Sequence, residues 1–391
     1  MILSKQKLKT STSVRAVVLS YMISSSKTDT IIPTHTTLLN WLHKIGYYLL
    51  TRKKEKASDW IIILDESIQL GTDKVLVIFG IRESEISFNR PLEFTDLIPL
   101  RIKSKQKWNG ELIMDEVNEL KNEIGEIKYA VGDYGSDIKK GLKLAEIPHV
   151  HDITHKIALI LEGLYKEDES YKGLTDKMSE MRMKFSQSNI AYVIPTKQRK
   201  KSRYQNIKTI SDWGKKAMTF LNNEKIDDKK AIDELKWIEG YDRFIDELSD
   251  MNNVIKKIEK EIKTNGLSNE TIEKSKKFSN QLVTKRGIQF KVELNKYFQD
   301  TVGLVQPFNK ILCTSDIIES AFGKYKNYVS NNPMAGVTNL VLCIAAFTSS
   351  LNKDEVKAAL ESTTIKDVKN WSTENIGKTL FQKRREALTV L

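Results

Sequence analysis

The stretch DWIIILDESIQLG, residues 59–71, sets an acid, Asp65, at the end of four consecutive apolar residues, Ile61 to Leu64. The apolar run reads as a buried strand. A carboxylate at its end has two readings. It ends the strand and turns toward water, or it is held inside by a partner or a metal, because buried charge is costly otherwise. The stretch alone leaves both open.

Working outward, VLVIFGIRE (75–83) and LIPLRIK (97–103) are two further β-rich runs joined by short links, as in a meander. GELIMDEVNELKNEIG (110–125) carries Leu112, Ile113, Val117, Leu120 and Ile124 near helical spacing. IKYAVGD is a strand ending at Asp133, and SDIKKGLKLAEI a short helix with Ser136 as its expected cap. PHVHDI is a strand, and THKIALILEGLYK opens a long helical stretch with Asp152 or Thr154 as its cap. The order βββαβαβα predicts an α/β protein, a mixed sheet with helices on both faces. In a sheet of that order the segments carrying Asp65 and Asp133 are neighbours.

Upstream, SVRAVVLSYMI (13–23) and THTTLLNWLHKIGYYLL (34–50) read as helices, followed by the basic exit TRKKEK. Residues 1–60 hold ten Lys or Arg against Asp29, Glu55 and Asp59. Segment 1–58 is therefore expected to be a helical basic DNA-binding segment, with an ordinary helical hairpin as the alternative. The core is expected over 59–153 and again over 306–350, split by a charged helical insertion at 154–305. Residues 351–391 form a helical tail. MAGVTNLVLCIAAF (334–347) reads as one buried helix, too short and too interrupted for a bilayer span.

The chain has 391 residues, 40% hydrophobic and 29% charged, enough for two or three packed domains. The N-terminus lacks the layout of a secretory signal, and Cys313 and Cys343 cannot form a disulfide framework, so a cytoplasmic, DNA-associated protein with no membrane partner is expected. A formal net charge of +12 favours a polyanionic partner. A second cluster, TKQRKKSRYQN (196–206), places Lys197, Arg199, Lys200, Lys201 and Arg203 beside Tyr204. It reads as a phosphate-binding run or as a solvated face.

A third acid joins the two aspartates in TSDIIESAFGKYK. Ile318, Ala321, Phe322 and Tyr325 occupy i, i+3, i+4 and i+7, a face that packs on the sheet; Glu319, Gly323 and Lys326 form the adjacent stripe. Gly323 inside a helix suggests close approach of another backbone, from DNA or a sheet edge. Three carboxylates from separate elements can hold two Mg²⁺ ions about 4 Å apart for in-line phosphodiester displacement. Mn²⁺ is the expected substitute. Lys326 and Lys324 are placed to meet phosphates, as are Arg52, Lys53 and Lys54 of the basic exit.

Through DWIIILDESIQLG, VLVIFGI, VGDYGSDIKKGL, PHVHDITHKIAL and SDIIESAFGKYK, roughly residues 30–350, the chain resembles the DDE transposases of bacterial insertion sequences. The resemblance implies a ribonuclease H-like catalytic domain with Asp65, Asp133 and Glu319 as catalytic and metal-binding residues. It also implies cleavage of double-stranded DNA at element ends and strand transfer into target DNA, by a homodimer on DNA. A transposase signature of Tyr, Arg, Glu and Lys is half present: Glu319 and Lys326 fit, whereas Leu312 and Ser315 stand at the other two positions.

Competing readings remain beside this one. Asp137 and Asp152 also lie near the strand ends. His149, His151 and His155 read as packing groups around the floor of the site or as a zinc site. NIGKTLF (375–381) is no phosphate loop, since Ser372 stands where the first glycine belongs. Two other functions share the pattern: a catalytically silent DNA-binding protein, and a ribonuclease H-like structural nuclease.

Overall fold

The computed structural model describes residues 33–70, 73–198, 206–306, 309–327, 329 and 336–389. The helix expected at 13–23 and the basic residues Arg199, Lys200, Lys201 and Arg203 lie outside them. The chain divides into two units: unit 1 comprises residues 1–87, 92–150 and 314–391, and unit 2 comprises 88–91 and 151–313. Among the described residues no helix is long and apolar enough to cross a membrane.

Unit 1 is built on a five-stranded mixed sheet. β1 (Ala57–Leu70) is central, with β2 (Asp73–Arg82) antiparallel on one side and β4 (Gly125–Gly132) parallel on the other. β3 (Ile98–Lys105) and β5 (His149–His151) are the outer strands, giving the order β3-β2-β1-β4-β5. β1 is buried because both neighbours are paired and both faces are covered: Ile61, Ile62, Ile63 and Leu64 are all fully buried. One face carries Trp60, Ile62 and Leu64 into a cluster with Ile113, Val117 and Leu120 of α2 (Gly110–Ile124) and Ile138 and Leu142 of α3 (Ser136–Leu144). The parallel step from β1 to β4 is made through α2, as a parallel crossover requires.

The first described helix, α1 (His35–Thr51), begins at the Thr34 cap, whose hydroxyl accepts the Thr37 amide. Its stripe Leu42, Ile45 and Leu49 packs with Cys343 and Ala346 of α12 (Leu342–Ala346) and Ala359 of α13 (Lys353–Ser362), elements numbered here in chain order. Gly46 sits where a Cβ would lie 2.1 Å from the Leu342 carbonyl oxygen, so the two helices meet backbone to side. The described part of segment 1–58 is thus integrated into unit 1 rather than standing off as an arm. The tail helices α13 and α14 (Ile365–Asn375) also pack on α1.

Unit 2 is helical: α4 (Ile153–Tyr165), α5 (Glu169–Phe185), α6 (Ile207–Leu221), α7 (Lys229–Leu235), α8 (Asp242–Asn265), α9 (Asn269–Ser279) and α10 (Lys285–Leu304). Arg286 is its polar node. The guanidinium pairs with Asp168 and with Glu247 at 2.9 Å, and lies over the rings of Tyr165 and Phe244.

Two local expectations are corrected. Ser136 is the first residue of α3 rather than its cap; Gly135 holds the cap position without a side-chain bond. Within 334–347 the described residues form a 3₁₀ turn, Asn339–Val341, and the short α12, not one continuous helix. Thr338 explains the break, since its hydroxyl accepts the Leu340 amide and restarts the helix there.

Candidate active site

β1 and β4 run in register from Ile61↔Tyr129 to Ile63↔Val131. Asp65 lies two residues beyond Ile63 and Asp133 two beyond Val131, just past the last paired residues of β1 and β4; β1 itself continues to Leu70 against β2. Asp65 retains 7% exposure and pairs across the sheet with Val77, immediately before the register of β1 and β2 shifts. That burial decides between the two readings of the strand end: Asp65 does not turn out to water. Asp133 follows the last residue of β4 and is half-buried; its carboxylate accepts the Gly135 amide at 2.8 Å, a turn that fixes the entry to α3.

Glu66, which the sequence reading passed over, belongs to the same end of the sheet. Its side chain is 15% exposed, Oε1 faces Lys74 at 3.4 Å, and its second oxygen, Oε2, is buried without a hydrogen bond. Burial raises its pKa above the usual carboxylate range; Lys74 works against the shift, and the negative charges of Asp137 and Asp133 add to it. Glu66, Asp133 and Asp137 therefore lie close enough to share one negative field. The signal in the sequence was the adjacent pair Asp65-Glu66 at the end of an apolar run, where only one of the two can follow the strand alternation toward a given face.

Glu319 lies in the first turn of α11 (Asp316–Lys326), a helix that packs on β1. Ile318, Ala321, Phe322 and Tyr325 are buried, as the spacing required, and Glu319, Gly323 and Lys326 are exposed. An acid in a first turn is also favourable to the helix dipole. The expected close approach at Gly323 is not made by the described protein: a Cβ there would meet nothing within 4 Å.

The carboxylates suit a hard divalent cation in donor type. Among the described residues no group of three or more His, Cys, Asp or Glu side chains is arranged to hold a metal ion. This also removes the three-histidine zinc arrangement. Asp152 is the cap of α4, its carboxylate accepting the His155 amide at 3.0 Å and facing His155 Nδ1 at 3.3 Å. Asp137 stands in the first turn of α3.

Several cations expected to meet DNA are engaged within unit 1. Lys54 donates to the carbonyls of Leu49, Leu50 and Arg52 at 2.7–3.0 Å, closing the end of α1. Lys324 lies 3.9 Å over the Phe94 ring and 5.5 Å from that of Phe347, and burial lowers its pKa. Arg52 is 3.5 Å from Glu355. Lys53 and Lys326 are exposed in unit 1, and Lys197 is exposed in unit 2. Sequence could not separate these groups, because a lysine that caps a helix and one that faces solvent look alike in a basic run.

No protein-family model matches the chain, and no curated protein matches it by sequence. Among solved structures it is similar to the Drosophila P element transposase strand transfer complex, with a TM-score of 0.41 and 11% identity, over 88% of this chain and 92% of that one.

Proposed function

We propose that the chain is a DNA nuclease and strand transferase of the DDE transposase type, with a ribonuclease H-like catalytic unit. The observation that carries this reading is the buried Asp65 within the central strand, two residues past its last pair with β4, as Asp133 is on the other side of that pair. Desolvating a carboxylate costs free energy even where a partner offsets part of it. Such a position is retained where the charge has work to do.

In this reading Asp65 and Asp133 would hold Mg²⁺, and Glu319, exposed on the first turn of α11, would complete the donor set. When bound, the paired ions would activate the attacking oxygen and stabilise the leaving one. Asp133 is held by the Gly135 amide, so one of its oxygens is oriented before any ligand arrives. Lys326, two turns along α11 from Glu319, is the point charge for a neighbouring phosphate. Water is the first nucleophile and the freed 3′-hydroxyl the second. The substrate is double-stranded DNA, bound by a homodimer, with Lys197 and the basic residues outside the described segments supplying phosphate contacts.

The test is incubation of the full chain with duplex DNA carrying the inverted ends of the encoding element, with and without Mg²⁺ or Mn²⁺. The reading expects nicks at the element ends that need the metal. Intact DNA under every metal condition, from a preparation that binds those ends, would leave a DNA-binding protein without this chemistry.

A further inference from the structure

At the edge of the sheet in unit 1 a cavity of about 420 Å³ opens between the end of α1, the outer strand β3 and α14. Arg52, Lys53 and Lys54 line it from the first, Arg101 and Lys103 from the second, and Trp371 from the third. The size lies within the range of small-ligand pockets, about 300–1,000 Å³. Its charge is lopsided. Five cations face two lining carboxylates, Glu119 and Glu123.

The two cations of β3 are largely answered. Arg101 makes a two-pronged contact with Glu123, at 3.1 and 2.5 Å, and Lys103 donates to Glu116 at 2.7 Å. On the α1 side, Arg52 has Glu355 at 3.5 Å, Lys54 is spent on backbone carbonyls, and Lys53 is exposed. Burial first, and the nearby Arg52 and Arg101 charges with it, pull the Lys54 pKa down to about 7 against the opposing charge of Glu123. Arg52, Lys54 and Arg101 thus repel one another in a recess where water screens them poorly. An anion placed between Arg52 and Lys53 would relieve that repulsion, and the flat Trp371 side chain gives the recess an apolar wall.

We propose that this cavity binds a phosphate group, held by Arg52 and Lys53 against Trp371, with Lys54 supplying charge from behind. The phosphate has two possible sources, a small free phosphate compound or the backbone of a nucleic acid. The site uses none of Asp65, Asp133 and Glu319, so it stands or falls apart from the phosphoryl-transfer reading.

The test titrates the full chain with inorganic pyrophosphate, following heat and tryptophan fluorescence together. We expect saturable binding with a fluorescence change that disappears in W371F while the heat remains. The double variant R52Q/K53Q should bind at least about tenfold more weakly, the loss expected for a charge-assisted contact. K53Q alone, at an exposed position, should show part of that loss with the fold intact. A parallel titration with a 20-base-pair duplex separates the sources: a Trp371 signal from the duplex assigns the backbone, and a signal from pyrophosphate alone assigns the free compound. Unchanged affinity in R52Q/K53Q, or a fluorescence change that persists in W371F, would overturn the proposal.

Discussion

Asp65 and Asp133 stand at equal distances past a shared register pair, Ile63↔Val131, on two parallel strands. Strands in that relation are about 4.8 Å apart, so two carboxylates projecting from one level can share a cation. We expect Asp65→Asn and Asp133→Asn each to reduce single-turnover cleavage of end-bearing DNA to background while duplex binding survives. Glu319→Gln should do the same. Asp137→Asn should cost little, because an acid in the first turn of α3 has a dipole role without a metal. A wild-type rate in the Asp133 variant beside a dead Asp137 variant would reassign the second ligand.

Gly323 offers a separate check on where substrate passes. With nothing within 4 Å of its Cβ position, Gly323→Ala should stabilise the free protein by about 0.5–1 kcal/mol in urea unfolding. If nucleic acid passes over the stripe that holds Glu319 and Lys326, the same variant should weaken DNA binding. Gain in both stability and affinity would place the substrate elsewhere.

These two regions also show what the sequence could and could not tell. β1, β4 and α11 were legible because an unbroken apolar run and a 3.6-residue spacing are properties of consecutive residues. The burial of Asp65 did not follow from the run alone, which left open whether the acid turned to water or stayed inside. Glu66 was not legible, since its role depends on Lys74, Asp133 and Asp137, which the fold brings together from other elements. Lys54 and Lys324 were read as surface cations for the same reason: the carbonyls of α1 and the rings of Phe94 and Phe347 leave no local mark. Ser136 looked like a cap because serine favours that position, but the turn set by Asp133 and Gly135 moves the helix start by one residue.

The packing of α1 on α12 should be sensitive to a single methyl group. Gly46→Ala would drive its Cβ into the Leu342 carbonyl, so we expect a loss of about 1–3 kcal/mol, read from the urea midpoint at constant slope. An unchanged midpoint would mean that the two helices separate at no cost.

His43, on the same helix, should make unit 1 sensitive to acid. Burial lowers its pKa from 6.5 to about 4. The unfolded chain binds the proton first, so the contribution of neutral His43 is complete above pH 6.5 and is lost as pH falls toward 4. At roughly 1.4 kcal/mol per pKa unit this amounts to about 3 kcal/mol at most. Urea unfolding at pH 7 and pH 4.5 should show the loss in the wild type and a smaller one in His43→Leu.

The ion cluster of unit 2 should be asymmetric to mutation. Arg286→Met leaves Asp168 and Glu247 facing each other without their shared cation, and we expect a loss of about 1–3 kcal/mol, given partial exposure of the site. Adding Asp168→Asn and Glu247→Gln to that variant should recover part of it. No recovery would assign the loss to packing of the guanidinium on Tyr165 and Phe244.

The division of unit 1 around unit 2 has a consequence for how the protein is made. Residues 1–150 leave the ribosome with the sheet nearly complete, but α11, which packs on β1, comes from beyond residue 314. At roughly 5–20 residues per second, the 176 residues from 151 to the end of α11 at Lys326 take about nine to thirty-five seconds to follow. Until then the part of the sheet that α11 covers is bare, an apolar face that a nascent chain must keep from other chains in that interval.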